Sequence, residues 1–145
     1  MSEKAKYLPW VAKESVKIGN VLAVEDDIAI RAILHNVLKK SFNITVVNNG
    51  LEALLWLSKG NTPDLILSDI SMPELNGFEF IRSLGQSGVY NSIPVVILSG
   101  YDREKIKIQT LEYTNPLSYI SKPFDPLKVR DQIIYILQGN HLHVS

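Results

Sequence analysis

The sequence predicts an α/β fold, a parallel five-stranded sheet with helices on both faces, and two observations carry that prediction. From Asn20 onward, short runs rich in β-branched residues alternate with longer segments of helical periodicity. The runs also mostly lack polar alternation, which marks strands covered on both sides rather than on one. Five such units in series require helical, right-handed crossovers between parallel strands.

The first run is Val21-Leu22-Ala23-Val24, and the helix after it carries an inward stripe of Ile30, Ile33, Leu34, Val37 and Leu38. Asp27 is placed to cap that helix, and Lys39-Lys40 suit the negative end of its dipole. Ile44-Thr45-Val46-Val47 is the second run, followed by a helix from about Leu51 to Ser58 that closes at Gly60. Leu65-Ile66-Leu67 is the third, and its helix follows Gly77 with Phe78, Ile81 and Leu84. Val95-Val96-Ile97-Leu98 is the fourth, with a helix between Asp102 and Tyr113. Tyr119-Ile120 is the fifth, and the last helix starts after Pro126 with Val129, Ile133 and Ile136 inward. Five βα units favour a flavodoxin-like (βα)5 three-layer sandwich with strand order 2-1-3-4-5. In that order the ligand crevice lies at the carboxyl ends of the strands, between the first and the third.

Composition removes several classes of function. The 145 residues include 15 basic and 15 acidic side chains, a zero net charge that argues against a nucleic-acid partner. The absence of cysteine rules out disulfides, thiolate metal sites and cysteine nucleophiles. No apolar run has the length of a membrane span, and Lys4, Lys6, Lys13 and Glu14 interrupt any leader-like segment, so the expected location is the cytoplasm with no membrane partner. Residues 20–138 form the expected domain, with an N-terminal extension over 1–19 and a short tail over 139–145. The extension holds an apolar cluster of Tyr7, Leu8, Trp10 and Val11 around Pro9, open to three readings: a short helix packed on the domain, a docking segment or a frayed terminus, the last slightly favoured. His35 is expected to be solvated and Trp56 to serve packing, and His141 and His143 in the tail are no metal pair. Tyr135 and Ile134 widen the apolar face of the last helix, with core packing the expected role.

The chemistry gathers at one edge of the sheet. Glu25-Asp26-Asp27 follows the first strand, Asp69 ends the third, Ser99 the fourth and Lys122 the fifth. Clustered carboxylates repel one another and raise their own pKa values unless a cation sits among them. Mg²⁺ suits such a site, because it accepts a few carboxylate oxygens, several waters and a phosphate oxygen. With the cation balancing the charge of an incoming phosphoryl group, Asp69 is the candidate nucleophile. Lys122 offers a point charge for one phosphoryl oxygen and Ser99 a hydroxyl for another.

Taken together in order, these motifs resemble the receiver domain of two-component response regulators over about four-fifths of the chain. They are the Glu25-Asp26-Asp27 cluster, the segment from Asp64 through Asp69, Met72-Pro73 and Gly77, then Pro94 to Ser99-Gly100, and Tyr119-Ile120-Ser121-Lys122-Pro123-Phe124. The resemblance implies that Asp69 is the phosphoacceptor and that Mg²⁺ is held by Glu25, Asp26, Asp69 and the backbone carbonyl of Ser71. It implies that Ser99 and Lys122 bind the phosphoryl group, that Tyr119 changes rotamer when Ser99 is drawn inward, and that the Lys122–Pro123 bond is cis. The phosphodonor would be a histidine kinase or phosphotransfer protein, and the chain a monomer or weak homodimer. With no output domain expected after Gln138, output is expected through protein contact or phosphate relay. The chain departs from the family where Tyr113-Thr114-Asn115-Pro116 replaces a small Gly-Ala pair before the fifth strand. Ser71 and Tyr101 occupy positions that tune dephosphorylation in the family. Two other readings are a phosphorylation-independent interaction module and an Asp69-nucleophile phosphatase. Ser71 counts against the phosphatase, since such enzymes place a second acid two residues after the nucleophile. The expected role is therefore a signalling switch rather than an enzyme.

Overall fold

The structure is a computed structural model and describes residues 16–70 and 76–139. The elements run β1 (Asn20–Val24), α1 (Ile28–Leu38), β2 (Asn43–Val47), α2 (Gly50–Ser58), β3 (Leu65–Asp69), α3 (Gly77–Gly85), β4 (Val95–Ser99), α4 (Arg103–Gln109), β5 (Leu117–Ser121) and α5 (Pro126–Leu137). All strands pair in parallel, in the order β2-β1-β3-β4-β5. The chain thus adopts the (βα)5 flavodoxin-like fold that the alternation of runs and helices predicts.

Successive side chains on a strand point to opposite faces, so each run feeds two cores. On one face Leu22, Val24, Ile66 and Ile97 meet Ala53 and Leu57 of α2, Phe80, Ile81 and Leu84 of α3, and Ile106 of α4. On the other, Ala23, Leu67, Val96 and Leu98 meet Leu34 and Leu38 of α1 and Val129 and Ile133 of α5. Strands β3 and β4 are buried at every position, as continuous apolar runs require. Each such side chain contributes roughly 1.5–3 kcal/mol on burial, so the central strands anchor the ends that carry the polar groups.

Each helix begins on an Asp or Asn whose side chain accepts a backbone N–H of the first turn: Asp27, Asn49, Asn76, Asp102 and Asp125. A cap of this kind is worth about 1 kcal/mol, which fixes where the chain leaves each strand end and enters the helix. Gly60, just past α2, has φ +95°, the left-handed turn that the glycine there predicts.

Two expectations need correction. Ile33 is 46% exposed, so the inward stripe of α1 is narrower than its apolar pattern. The fourth helix does not extend toward Tyr113 but ends at Gln109. There the Thr110 hydroxyl donates to the Ile106 carbonyl at 2.7 Å, competing with helix continuation, and the next residues serve other contacts. Tyr113 donates its hydroxyl to the Phe78 carbonyl at 3.1 Å, and Thr114 donates to the Gly85 carbonyl at 3.1 Å. Asn115 donates to the Tyr90 and Ile93 carbonyls at 2.8 and 2.9 Å. The segment that departs from the family pattern therefore straps the α4–β5 connection to α3 and to the entry of β4. His35 is exposed, and Trp56 packs half-buried against the α2–α3–α4 core. Ile134 packs at the edge of the α1–α5 core, while Tyr135 is 45% exposed. The N-terminal apolar cluster, the tail histidines and Ser71 lie outside the described residues.

Candidate functional site

Register delivers the polar groups together. Val24 pairs with Ser68, Asp69 with Leu98, and Ser99 with Ser121, so the carboxyl ends of β1, β3, β4 and β5 come level. Ladder-like bonds continue just beyond the strands, from Glu25 N–H to the Val47 carbonyl and from Lys122 N–H to the Ser99 carbonyl. These bonds hold Glu25 and Lys122 at the sheet rather than in open loops.

Glu25 and Asp69 are buried, at 1% and 4% exposure, while Asp26 is exposed. One carboxylate oxygen from each of the three lies within 4.8 Å of the others. Lys122 reaches in from β5 with its ammonium 3.1 Å from Asp69 Oδ2 and 3.5 Å from Glu25 Oε2. A cleft of about 260 Å³ opens onto them, lined by Asp69, Ser99, Gly100, Tyr101 and Lys122. Ser99 is buried and its hydroxyl oxygen accepts the Tyr101 N–H at 2.9 Å. The Lys122–Pro123 bond is cis, as the resemblance implies.

The electrostatics bear the mark of crowded acids. Burial, followed by the charge of Asp69, pushes Glu25 up to about 7, against the lowering pull of Lys122 and of the Asp27 N–H. Burial disfavours the charged Lys122, but Asp69 and Glu25 more than reverse this and hold it above the ordinary lysine value. One ammonium thus faces two buried carboxylates, with a third acid at the rim. The donor set is all oxygen, compact and short of positive charge, which fits a hard divalent cation.

Of the residues singled out in the sequence, Glu25, Asp26, Asp69, Ser99 and Lys122 converge on this site. Tyr119 lies behind it, packed against the α2–α3–α4 core, with its hydroxyl 2.9 Å from that of Thr110. Sequence reasoning missed Arg31, whose guanidinium donates to the carbonyls of Glu25 and Asp26 at 3.4 and 3.2 Å. Its place one turn into the helix after an acidic loop was the available signal. Reasoning from motifs also did not reveal why Gly77 is glycine. A Cβ there would sit 2.4 Å from Ile70 Cα and 2.5 Å from the Asp69 carbonyl, so α3 starts against the backbone that carries Asp69.

Residues 21–134 match the response regulator receiver domain family, and the chain belongs to it. It is thus a receiver domain of the two-component type, a family of signalling switches. The probable transcriptional regulator ycf29 of Pyropia yezoensis is 38% identical over 107 residues, covering 73% of this chain and 47% of that protein. This chain therefore spans about half of that relative's length. Among solved structures, the receiver domain of a signal transduction histidine kinase from Syntrophus aciditrophicus is 30% identical. It aligns with a TM-score of 0.74 over 83% of this chain and 91% of its own. The chemotaxis protein CheY4 of Vibrio cholerae is 28% identical, with a TM-score of 0.72 over 79% of this chain and 94% of its own.

Proposed function

We propose that this chain accepts a phosphoryl group on Asp69 in a Mg²⁺-dependent reaction and thereby switches a protein-interaction surface. The observation that carries the reading is the placement of Asp69. It is buried at the switch point, faces Lys122 at 3.1 Å and has Glu25 and Asp26 oxygens within 4.8 Å.

A carboxylate oxygen of Asp69 attacks the phosphorus in line, forming the acyl phosphate as the bond from phosphorus to the donor breaks. The donor of this class is a phosphohistidine on a histidine kinase or phosphotransfer protein, and its imidazole leaves with the electron pair. Lys122 holds one phosphoryl oxygen by charge, and the Ser99 hydroxyl turns from the Tyr101 N–H to donate to another. Glu25, Asp26 and Asp69, with the Ser71 carbonyl, would hold Mg²⁺, which supplies charge neutralisation for the transferring group. Arg31 keeps the acidic loop in place through two backbone carbonyls. Tyr119 and Ser99 are the switch residues, and α4 with α5 carries the surface that changes. The site is a switch rather than a turnover enzyme, since Ser71 offers no acid beside Asp69 for a leaving group.

Incubation with acetyl phosphate and Mg²⁺, followed by intact mass, tests the reading. The expected result is a single adduct of about 80 Da, the mass of one phosphoryl group, that fails to form in EDTA. A protein that stays unmodified with Mg²⁺ present contradicts it.

A further inference from the structure

Helix α4 is an unusual lever. It has seven residues, and only Ile106 among them is buried. Its N-cap, Asp102, belongs to the loop that also carries Gly100 and Tyr101 beside Ser99. Its C-cap, Thr110, is buried at 6% exposure, which is rare for a polar group unless its bonds are made. They are made: the hydroxyl donates to the Ile106 carbonyl at 2.7 Å and lies 2.9 Å from the Tyr119 hydroxyl. A hydroxyl has one proton, and Thr110 spends it on Ile106, so the Tyr119 O–H donates to Thr110. The result is a relay from β5 through Tyr119 and Thr110 to the backbone of α4. Nothing in the phosphoryl chemistry uses this relay.

The two ends of that relay differ in freedom. Tyr119 sits on β5, paired in register with Ile97 of β4, and Lys122 at the same strand end reaches Asp69. The helix end has no strand pairing and rests on the burial of Ile106 and on the bonds of Thr110 and the segment after it. The Ser99 hydroxyl oxygen accepts the Tyr101 N–H of the loop that caps α4, so a Ser99 side chain drawn toward a phosphoryl oxygen would disturb that loop. Movement of the cap would pass along this short helix, and the Tyr119–Thr110 hydrogen bond is the side-chain link from its end to β5 that would oppose it.

We propose that Thr110 is a positioning residue of the switch: its hydroxyl latches Tyr119 to the end of α4, and a phosphoryl group at Asp69 is bound at the cost of breaking that latch. The proposal rests on the reading of Asp69 as phosphoacceptor. It gives α4 two discrete arrangements, latched and released, which a coupling mechanism requires. Thr110 does not line the Asp69 cleft, and it sets how readily the second arrangement is reached.

The test is beryllofluoride binding in the presence of Mg²⁺, with Mg²⁺ binding alone measured in parallel. Thr110→Val keeps the shape and removes the hydroxyl, so the bond to the Ile106 carbonyl is lost in both arrangements and the bond from Tyr119 only in the latched one, a net difference of one hydrogen bond. Beryllofluoride affinity should rise roughly three- to tenfold, the range of one net hydrogen bond. Mg²⁺ affinity should stay at the wild-type value, and Thr110→Ser, which keeps the hydroxyl, should restore wild-type beryllofluoride affinity. Tyr119→Phe removes the donor from the opposite side and serves if Thr110→Val does not fold. It should tighten binding likewise, and the double variant should gain no more than either single one. Equal or weaker beryllofluoride binding in Thr110→Val, or additive effects in the double variant, overturns the latch and leaves the phosphoacceptor reading standing. Failure of the wild-type chain itself to bind beryllofluoride with Mg²⁺ overturns that underlying reading.

Discussion

The Lys122 ammonium lies 3.1 Å from Asp69 Oδ2 and 3.5 Å from Glu25 Oε2, so one cation serves two buried carboxylates on different strands. The arrangement is balanced for a visitor: it tolerates the acids without a metal and leaves negative charge over for one.

Removing that ammonium separates metal binding from phosphoryl binding. In Lys122→Ala the site loses a competing cation, so Mg²⁺ affinity should hold or rise. Without metal the variant should be less stable, because two buried carboxylates lose their partner. Beryllofluoride binding should fall sharply, since on the proposed reading the phosphoryl mimic loses the ammonium that faces Asp69. Mg²⁺ titration and thermal melts with and without EDTA check this, and loss of Mg²⁺ binding in the variant contradicts the division of roles.

Glu25 predicts an unusual pH dependence. Its carboxyl titrates near 7 in the folded chain against 4.5 for the free group, so the folded state binds that proton more tightly. Stability without metal should therefore fall as pH rises through that window, opposite to the usual behaviour of a salt-bridged acid. Glu25→Gln should flatten this part of the profile and raise the melting temperature at pH 8. Mg²⁺ competes with the proton, so its affinity should rise over the same window. Melts in EDTA from pH 5 to 8.5 decide it, and a profile that climbs through the window contradicts the assignment.

Asp26 is the exposed member of the acidic trio, and its removal tests the metal site with the least disturbance of the core. Asp26→Ala should weaken Mg²⁺ binding, because a site with few protein carboxylates cannot spare one. The same change should leave the metal-free fold as stable or slightly more so, through relief of repulsion. Unchanged affinity by NMR titration would place the ion elsewhere.

Gly77 gives a prediction about support rather than chemistry. With its would-be Cβ 2.4 Å from Ile70 Cα, Gly77→Ala forces the start of α3 away from the backbone next to Asp69. The expected cost is on the order of 1–3 kcal/mol, as for other overpacked sites. Amide chemical-shift changes should extend to Asp69 and Ile70. A variant as stable as the parent, with shifts confined to α3, contradicts this account of the close approach.

The site residues could be read from the sequence because each interrupts an apolar run. Asp69 and Ser99 end fully buried strands, where a polar residue needs a reason to be present. Lys122 and Glu25 follow strands directly, and parallel pairing then brings all four level without further information. The strand cores were legible from their β-branched runs, but Asn20, Asn43 and Leu117 join their strands through pairing alone. What lay beyond reading was decided by side-chain contacts that periodicity does not reveal. Ile106 and Ile108 have strand-like spacing, yet Ile106 is buried in a helix and Ile108 is 69% exposed. Thr110 ends that helix through bonds to Ile106 and Tyr119, and Ile33 is left outside although its pattern places it inward. A threonine and an isoleucine carry no mark in the sequence of which neighbours they meet.

The central claim is that Asp69 is the phosphoacceptor, and the most direct measurement is intact mass of the wild-type chain and Asp69→Asn side by side after acetyl phosphate and Mg²⁺. The account predicts one phosphoryl adduct on the wild-type chain and none on Asp69→Asn, which keeps the shape and removes the nucleophilic carboxylate. An adduct that forms on Asp69→Asn at the wild-type rate would contradict it.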